Sequence, residues 1–104
     1  MENLLAKCDE ATAFLKLLAN RNRLAVLCTL LEGPCCVNEL AERTGMPQAA
    51  MSSQLALLRE AGLVDCEVQH RQRLYHLADA RVRDTIALLH GFFCRDEATN
   101  PEKP

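Results

Sequence analysis

Six cysteines give this sequence of 104 residues its main capacity for covalent and metal chemistry. A cysteine thiolate acts as a nucleophile, forms disulfides and binds soft metal ions. The N-terminus has no apolar leader segment, so we expect a cytoplasmic protein whose cysteines are thiols. No two of them form a C-x-x-C pair, which argues against a zinc ribbon or a thioredoxin-like site. They stand at positions 8, 28, 35, 36, 66 and 94.

The composition predicts one domain with an aliphatic core. Hydrophobic residues make up 49% of the chain, which has three Phe, one Tyr and no Trp. No apolar run approaches the length of a membrane span. We expect the domain to cover residues 1–95, with a polar, flexible tail at 96–104. The formal net charge of −2 disfavours DNA binding by a monomer, although local positive charge on two copies would offset it.

Apolar residues at helical spacing predict two N-terminal helices. The first has a narrow apolar seam, which fits either a dimer partner or the chain's own core. The seam residues are Leu4, Cys8, Ala11, Leu15 and Leu18. The second helix stops at Gly33-Pro34, and its apolar residues are Leu24, Leu27, Cys28 and Leu31.

Two short helices joined by a tight turn follow. The first is predicted over 37–44, with Gly45 just after its end, where a left-handed residue is favoured. Pro47 is expected at the first position of the next helix, where its missing N–H costs nothing. That helix stops at Gly62, and its predicted core residues are Ala50 or Met51, Leu55 and Leu58. This order is typical of a helix-turn-helix.

A β-hairpin and a last helix complete the predicted fold. Val64, Cys66 and Val68 alternate with polar residues, which predicts a strand with one apolar face. The turn is expected at 70–72 and the returning strand at 73–77. Asp79 is suited to cap the last helix, whose apolar stripe is Val82, Ile86, Leu89 and Phe93. The order αααα-ββ-α, mainly helical with a small hairpin, predicts a winged helix-turn-helix.

The polar side of the fourth helix is the predicted DNA-contacting surface. Its N-terminal half would enter the major groove, where Gln pairs with adenine and Ser contacts bases or phosphates. Arg59 is placed to contact a DNA phosphate, and the hairpin tip is placed to contact the DNA backbone or the minor groove. The alternative is a solvated helix face beside an ordinary hairpin. The predicted contacts are Gln48, Ala49, Ser52, Ser53, Gln54, Arg59, His70, Arg71 and Arg73.

Three stretches of the chain resemble the ArsR/SmtB family of dimeric bacterial repressors. The resemblance runs from about Ala13 to Cys94. It implies a homodimer, formed through the first and last helices, that holds an imperfect palindromic operator until an inducer releases it. The matching stretches are LKLLANRNRLAVLCTLLEG, VNELAERTGMPQAAMSSQLALLREAGLV and RLYHLADARV.

Neither metal site of that family is complete in this sequence. The third-helix site uses Cys-Val-Cys, but here Asn38 replaces the second thiolate, and neutral Asn is a poor ligand for a soft metal. The last-helix site lacks its first His, because Arg81 stands two residues after Asp79. No cofactor is therefore expected. Cys35 and Cys36, expected to be exposed, remain an alternative site for arsenite or a soft metal.

A third subgroup of the family fits better. Cys28 follows Ala-Val-Leu and Cys94 follows Phe-Phe, a pattern similar to repressors that sense persulfides, polysulfides or related oxidants. The resemblance implies that Cys28 and Cys94 are the sensing pair, joined by a disulfide or a longer sulfur bridge, and that bridging releases DNA. The spacing of Cys28 from Leu24 and Leu31 also fits inert packing in the core.

The surroundings of the cysteines lead to further expectations. Arg21 and Arg23 for Cys28, and Arg95 for Cys94, are candidates to lower thiol pKa values. Cys66 is expected to be buried on the apolar side of its strand, and Cys8 to lie on the first-helix seam.

Two other classes of function fit the sequence less well. An enzyme is disfavoured because the sequence has no phosphate loop and no paired carboxylates, and the domain leaves little room for a substrate pocket. A DNA-binding domain that responds only to protein partners would bind its operator equally well whether reduced, treated with polysulfide or loaded with metal.

Overall fold

The computed structural model describes residues 2–94, and the predicted boundary at 95 and the tail at 96–104 lie outside them. The chain has five helices and one two-stranded sheet in the described part, in the predicted order αααα-ββ-α. The elements are α1 (Glu2–Leu18), α2 (Arg21–Leu31), α3 (Val37–Thr44), α4 (Gln48–Glu60), β1 (Val64–Gln69), β2 (Gln72–Leu77) and α5 (Ala80–Phe93). This is a winged helix-turn-helix, as predicted.

Asn20 and Arg23 fix the corner between α1 and α2. The side chain of Asn20 caps α2 by accepting a hydrogen bond from the Arg23 backbone N–H at 3.0 Å. Arg23 in turn donates from Nε to the carbonyl oxygen of Leu17 at 2.7 Å. An N-cap of this kind satisfies a backbone donor that has no partner within the helix. The corner directs α2 into the core, where α3 and α5 pack against it.

The helix-turn-helix has the predicted bounds for α3 and a small shift in α4. Gly45 ends α3 in the left-handed conformation, with φ 79°, and its N–H donates to the carbonyl oxygen of Ala41 at 2.9 Å. Pro47, predicted at the first helical position, is instead the N-cap residue, because its ψ of 148° is extended. Of the two alternatives in α4, Met51 is buried and Ala50 is exposed.

The wing is an antiparallel hairpin with a tighter turn than predicted. Gln72, expected in the turn, pairs with Gln69, so the turn contains only two residues. These are His70 and Arg71, with φ of 52° and 71°. Two positive φ values give a turn whose twist matches that of the strands, although the usual choice is Asn-Gly. Val68, predicted on the apolar face, is 67% exposed because the wing tip extends away from the core.

The core is aliphatic, as the composition predicted. One member was not expected there, because Cys35 is only 4% exposed. Its backbone pairs with Tyr75 of β2 through two hydrogen bonds of 3.0 and 2.8 Å, which draws the segment between α2 and α3 under the wing. The other buried residues are Leu18, Val26, Leu27, Leu30, Leu40, Met51, Leu55, Leu58, Leu63, Val64, Leu77, Val82 and Ile86.

The first and last helices leave large apolar side chains uncovered. Asp79 caps α5 as predicted, accepting from the Val82 N–H at 3.1 Å, and the stripe is buried only at Val82 and Ile86. Phe93, the last member of that stripe, is 76% exposed. Within residues 2–94, no helix has the length and apolar character needed to cross a membrane. The exposed apolar residues of α1 and α5 are Leu4, Leu5, Leu15, Leu88, Phe92 and Phe93.

Candidate nucleic-acid interface and thiol pair

The predicted contact residues of α4 form an exposed surface, with one departure. Gln48, Ala49, Ser52 and Ser53 are exposed at its N-terminal half. Gln54 is half-buried, and its Oε1 is buried without a hydrogen-bond partner among residues 2–94. Its carbonyl oxygen therefore does not face a DNA duplex in this conformation. Gln48, Ser52 and Ser53 have the polarity and exposure that hydrogen bonds to base edges need, whereas the exposed Ala49 offers only an apolar contact.

An open groove separates α4 from β2. It has a volume of about 580 Å³ and is lined by Ser52, Ala56, Arg59, Glu60 and Tyr75. Arg59 and the Ser52 hydroxyl supply hydrogen-bond donors suited to phosphate oxygens. Glu60 on the same wall would repel a phosphate, so the positive charge here is local and small.

The wing brings the remaining predicted contact residues together near its tip. His70, Arg71 and Arg73 are all exposed. Arg73 donates from Nη1 to the Sγ of Cys66 at 3.7 Å, and Cys66 is half-buried, not buried as predicted. On the same hairpin, Glu67 lies 3.9 Å from His76.

Asn38 joins this surface although the sequence analysis treated it only as a lost metal ligand. Gln48 Nε2 donates a hydrogen bond to Asn38 Oδ1, so the exposed face of α3 is tied to the first residue of α4. No local signal in the sequence indicates this contact, because Asn38 is at the start of α3 and only the packing of α3 against α4 brings it to Gln48.

The two cysteines of the predicted sensing pair lie within Coulombic range of each other. Cys28 is half-buried on α2, and Cys94 is the exposed C-cap residue of α5, where its N–H donates to the His90 carbonyl oxygen at 2.8 Å. Burial raises the pKa of Cys28, and the negative charge of the Cys94 thiolate raises it further. An effect of that second kind requires the two sulfur atoms to be within Coulombic range.

The expected pKa-lowering arginines do not act on Cys28. The Arg23 guanidinium is held by the carbonyl oxygens of Leu17 and Lys16, at 2.7 and 3.4 Å. Burial and Cys94 both raise the pKa of Cys28, so the direction expected for it was wrong. Arg95, the candidate for Cys94, lies outside the described residues.

Cys35 and Cys36 do not form the exposed pair that was expected. The buried Cys35 Sγ lies 3.7 Å from both the Gly33 carbonyl oxygen and Arg43 Nη1. Burial raises its pKa first and the Glu39 carboxylate adds to this, while Arg43 opposes both. Among the described residues, no group of three or more His, Cys, Asp or Glu side chains could hold a metal ion.

Comparison with known proteins places this geometry in a family. The profile of the bacterial regulatory protein, arsR family, matches residues 20–65. A biofilm growth-associated repressor from Xylella fastidiosa is 34% identical over 96 residues, which cover 92% of this chain and 84% of that protein. The chain belongs to the arsR family.

Solved structures of similar regulators agree with the fold over most of the chain. The reduced form of HlyU from Vibrio cholerae matches with a TM-score of 0.86 and 35% identity, covering 91% of this chain and all of that one. A homodimeric winged helix-turn-helix domain from Mycobacterium bovis matches with a TM-score of 0.76 and 29% identity, covering 88% and 85%. As an arsR-family protein, this chain is a DNA-binding transcriptional regulator and not an enzyme.

Proposed function

We propose that this arsR-family protein is a homodimeric repressor that leaves its operator when Cys28 and Cys94 become covalently bridged. The observation that carries the proposal is that Cys94, at the end of α5, lies within Coulombic range of Cys28 on α2, which packs against α5. The inducer would be a persulfide, a polysulfide or another thiol oxidant. Thiols stay reduced in the cytoplasm, which is where such a sensor would act.

Operator binding is assigned to α4 and the wing. The exposed Gln48, Ser52 and Ser53 would contact the major groove, while Arg71 and Arg73 would contact flanking phosphates. One protomer carries few such cations, and the chain has a net charge of −2. Two protomers on an imperfect palindrome would double the contacts, with half-sites about one helical turn apart.

The dimer is assigned to the apolar faces of α1 and α5. Leu15 is 57% exposed and Phe92 is 66% exposed, and four other large apolar side chains on the same helices are exposed with them. A monomer rarely leaves such a surface in water, and a two-fold dimer buries the same patch on both copies. The homodimeric state of the Mycobacterium bovis domain supports this assignment.

Bridging needs an oxidant, and a persulfide RSSH supplies it. The exposed Cys94 thiolate attacks the outer sulfur of RSSH, which forms Cys94–S–SH and expels RS⁻. The Cys28 thiolate then attacks the Cys94 sulfur of this group, forming the Cys28–Cys94 disulfide and releasing HS⁻. The two thiols lose two electrons, and the transferred sulfur gains them. A longer polysulfide on Cys94, attacked at its penultimate sulfur, leaves extra sulfur atoms within the bridge.

The bridge would act on DNA binding through the position of α5. A disulfide requires Cα atoms about 4.4–6.8 Å apart, whereas inserted sulfur atoms span more. Tying the end of α5 to α2 would shift a helix of the dimer surface relative to the core that carries α4. Because the dimer must bind both half-sites at once, a small change in the spacing of its two α4 helices would weaken the complex with DNA.

Fluorescence anisotropy of a labelled operator duplex tests the proposal. Reduced native protein should bind the operator, and polysulfide should raise its Kd by at least about tenfold. An effect of that size is usual for allosteric coupling. Cys28→Ser and Cys94→Ser should bind but resist polysulfide, whereas Cys66→Ser, the matched control, should respond normally. Full release of Cys28→Ser would contradict the proposal. Release by arsenite that is lost in Cys35→Ser would move the sensing site to the segment just before α3.

A further inference from the structure

We infer that Asn38 sets the base preference of Gln48, which makes adenine the base that Gln48 recognises in each half-site. This inference rests on the proposed DNA-binding function and assigns a role on α3 that lies outside the usual reading surface of α4. The observation is the hydrogen bond from Gln48 Nε2 to Asn38 Oδ1, between two exposed side chains on neighbouring helices.

The hydrogen bond determines which groups Gln48 can still offer to DNA. A glutamine amide has two N–H donors and one carbonyl acceptor. Because Gln48 donates one of its N–H groups to Asn38, it keeps one N–H donor and its Oε1 acceptor for DNA. In the major groove adenine presents an acceptor, N7, beside a donor, N6–H, and this pattern complements what Gln48 keeps.

The same contact disfavours guanine at that position. Guanine presents two acceptors, N7 and O6, so Oε1 would face another oxygen. A free glutamine could rotate its amide and offer N–H groups to guanine instead. Because Asn38 holds the amide in one orientation, that rotation would break the hydrogen bond. Asn38 also reduces the side-chain freedom that Gln48 loses on binding.

The positions of both residues support a role at the DNA. Gln48 is the first residue of α4, at the end of the helix that enters the groove in this fold. Asn38 is in the first turn of α3, and its side chain is exposed and makes this contact across the turn. Asn38 is therefore a positioning residue, acting through Gln48.

The test begins with the reduced native protein and a random duplex library, from which selection yields a consensus operator. Each base pair of the consensus is then replaced in both half-sites. The Kd for each duplex is measured with native protein, Asn38→Ala, Asn38→Asp, Gln48→Ala and the Asn38→Ala/Gln48→Ala double variant. Asn22→Ala, which removes an exposed amide from α2, is the matched control. Thermal unfolding of each variant separates loss of folding from loss of recognition.

We expect one A·T pair in each half-site at which native protein rejects guanine by about tenfold or more. Gln48→Ala and Asn38→Ala should both lose most of this discrimination at the same pair, and the double variant should lose no more. Asn38→Asp retains the acceptor oxygen, so it should keep the discrimination while binding every duplex more weakly through repulsion of phosphates. Asn22→Ala should behave as native.

Two results would overturn the inference alone. In the first, Asn38→Ala keeps the native preference at the pair where Gln48→Ala loses it. In the second, Asn38→Ala weakens binding to all duplexes equally, as a purely structural residue would. If native protein selects no consensus at all, the DNA-binding function fails and the inference fails with it.

Discussion

Cys28 on α2 lies close enough to Cys94 at the end of α5 that a thiolate on Cys94 raises the pKa of Cys28. The two residues are far apart in sequence, and the packing of α2 against α5 brings them together. Their environments differ, since Cys28 is half-buried and Cys94 is exposed. In the proposed mechanism, the exposed Cys94 thiol would therefore react first with a soluble oxidant, and the half-buried Cys28 would resolve the product.

The pKa of Cys28 should respond to loss of its neighbour. In Cys94→Ser, that pKa should fall but stay above its ordinary value of 9.0, because burial is the larger cause of the shift. The pH dependence of Cys28 alkylation by iodoacetamide, followed by peptide mapping, measures it, with Cys66→Ser as the control. An unchanged midpoint in Cys94→Ser would mean that the two thiols do not interact.

The same shift has a consequence for stability. Unfolding returns Cys28 to its ordinary pKa of 9.0, below the value in the folded protein. The unfolded chain therefore loses its proton first as the pH rises, and folding stability falls between 9.0 and the raised pKa. Urea unfolding at increasing pH should show this fall in native protein and a smaller one in Cys28→Ser. An equal loss of stability in native protein and Cys28→Ser would count against a raised pKa of Cys28.

Arg73 should contribute affinity without sequence preference. Its guanidinium is at the exposed wing, so Arg73→Ala should weaken binding to all duplexes alike and reduce the slope of log K against log salt by about 1 per protomer. Arg83→Ala, which removes an exposed arginine from α5, is the matched control and should leave the slope unchanged. A change in base preference for Arg73→Ala would instead place this side chain in a groove.

The exposed apolar residues of α5 should hold the dimer together. Phe92→Asp places a charge in the proposed interface and should give a monomer in sedimentation equilibrium, with operator affinity reduced by at least about a hundredfold through loss of the second half-site. Val68→Asp, at an equally exposed apolar side chain on the wing, is the control and should remain dimeric. A dimeric Phe92→Asp protein would place the interface elsewhere.

Local signals in the sequence predicted the helices and their ends well. Helix ends depend on the backbone conformation or capping side chain of a few neighbouring residues. The structure has the three predicted end signals where expected, at Gly45, Gly62 and Asp79. The bounds of α3 were predicted to the residue for the same reason. The order of these elements predicted the winged helix-turn-helix, and the arsR-family resemblance agreed with that prediction.

Features that depend on distant parts of the chain were predicted poorly. Cys35 was expected to be exposed, but its pairing with Tyr75 buries it, and nothing near Cys35 in sequence indicates that contact. Alternation placed Val68 on a buried face, although a two-stranded wing has no layer to cover its tip. The pKa of Cys28 followed burial, not the arginines beside it in sequence. Each error comes from treating neighbours in sequence as neighbours in space.

The most direct test of the central claim is the mass of the protein that polysulfide releases from the operator, with peptide mapping of its cross-links. The proposal predicts one linkage between Cys28 and Cys94 within each protomer, either a disulfide that has lost two hydrogens or the same linkage with added sulfur atoms. Released protein in which Cys28 and Cys94 remain separate thiols, or in which another pair is joined, would contradict the proposal.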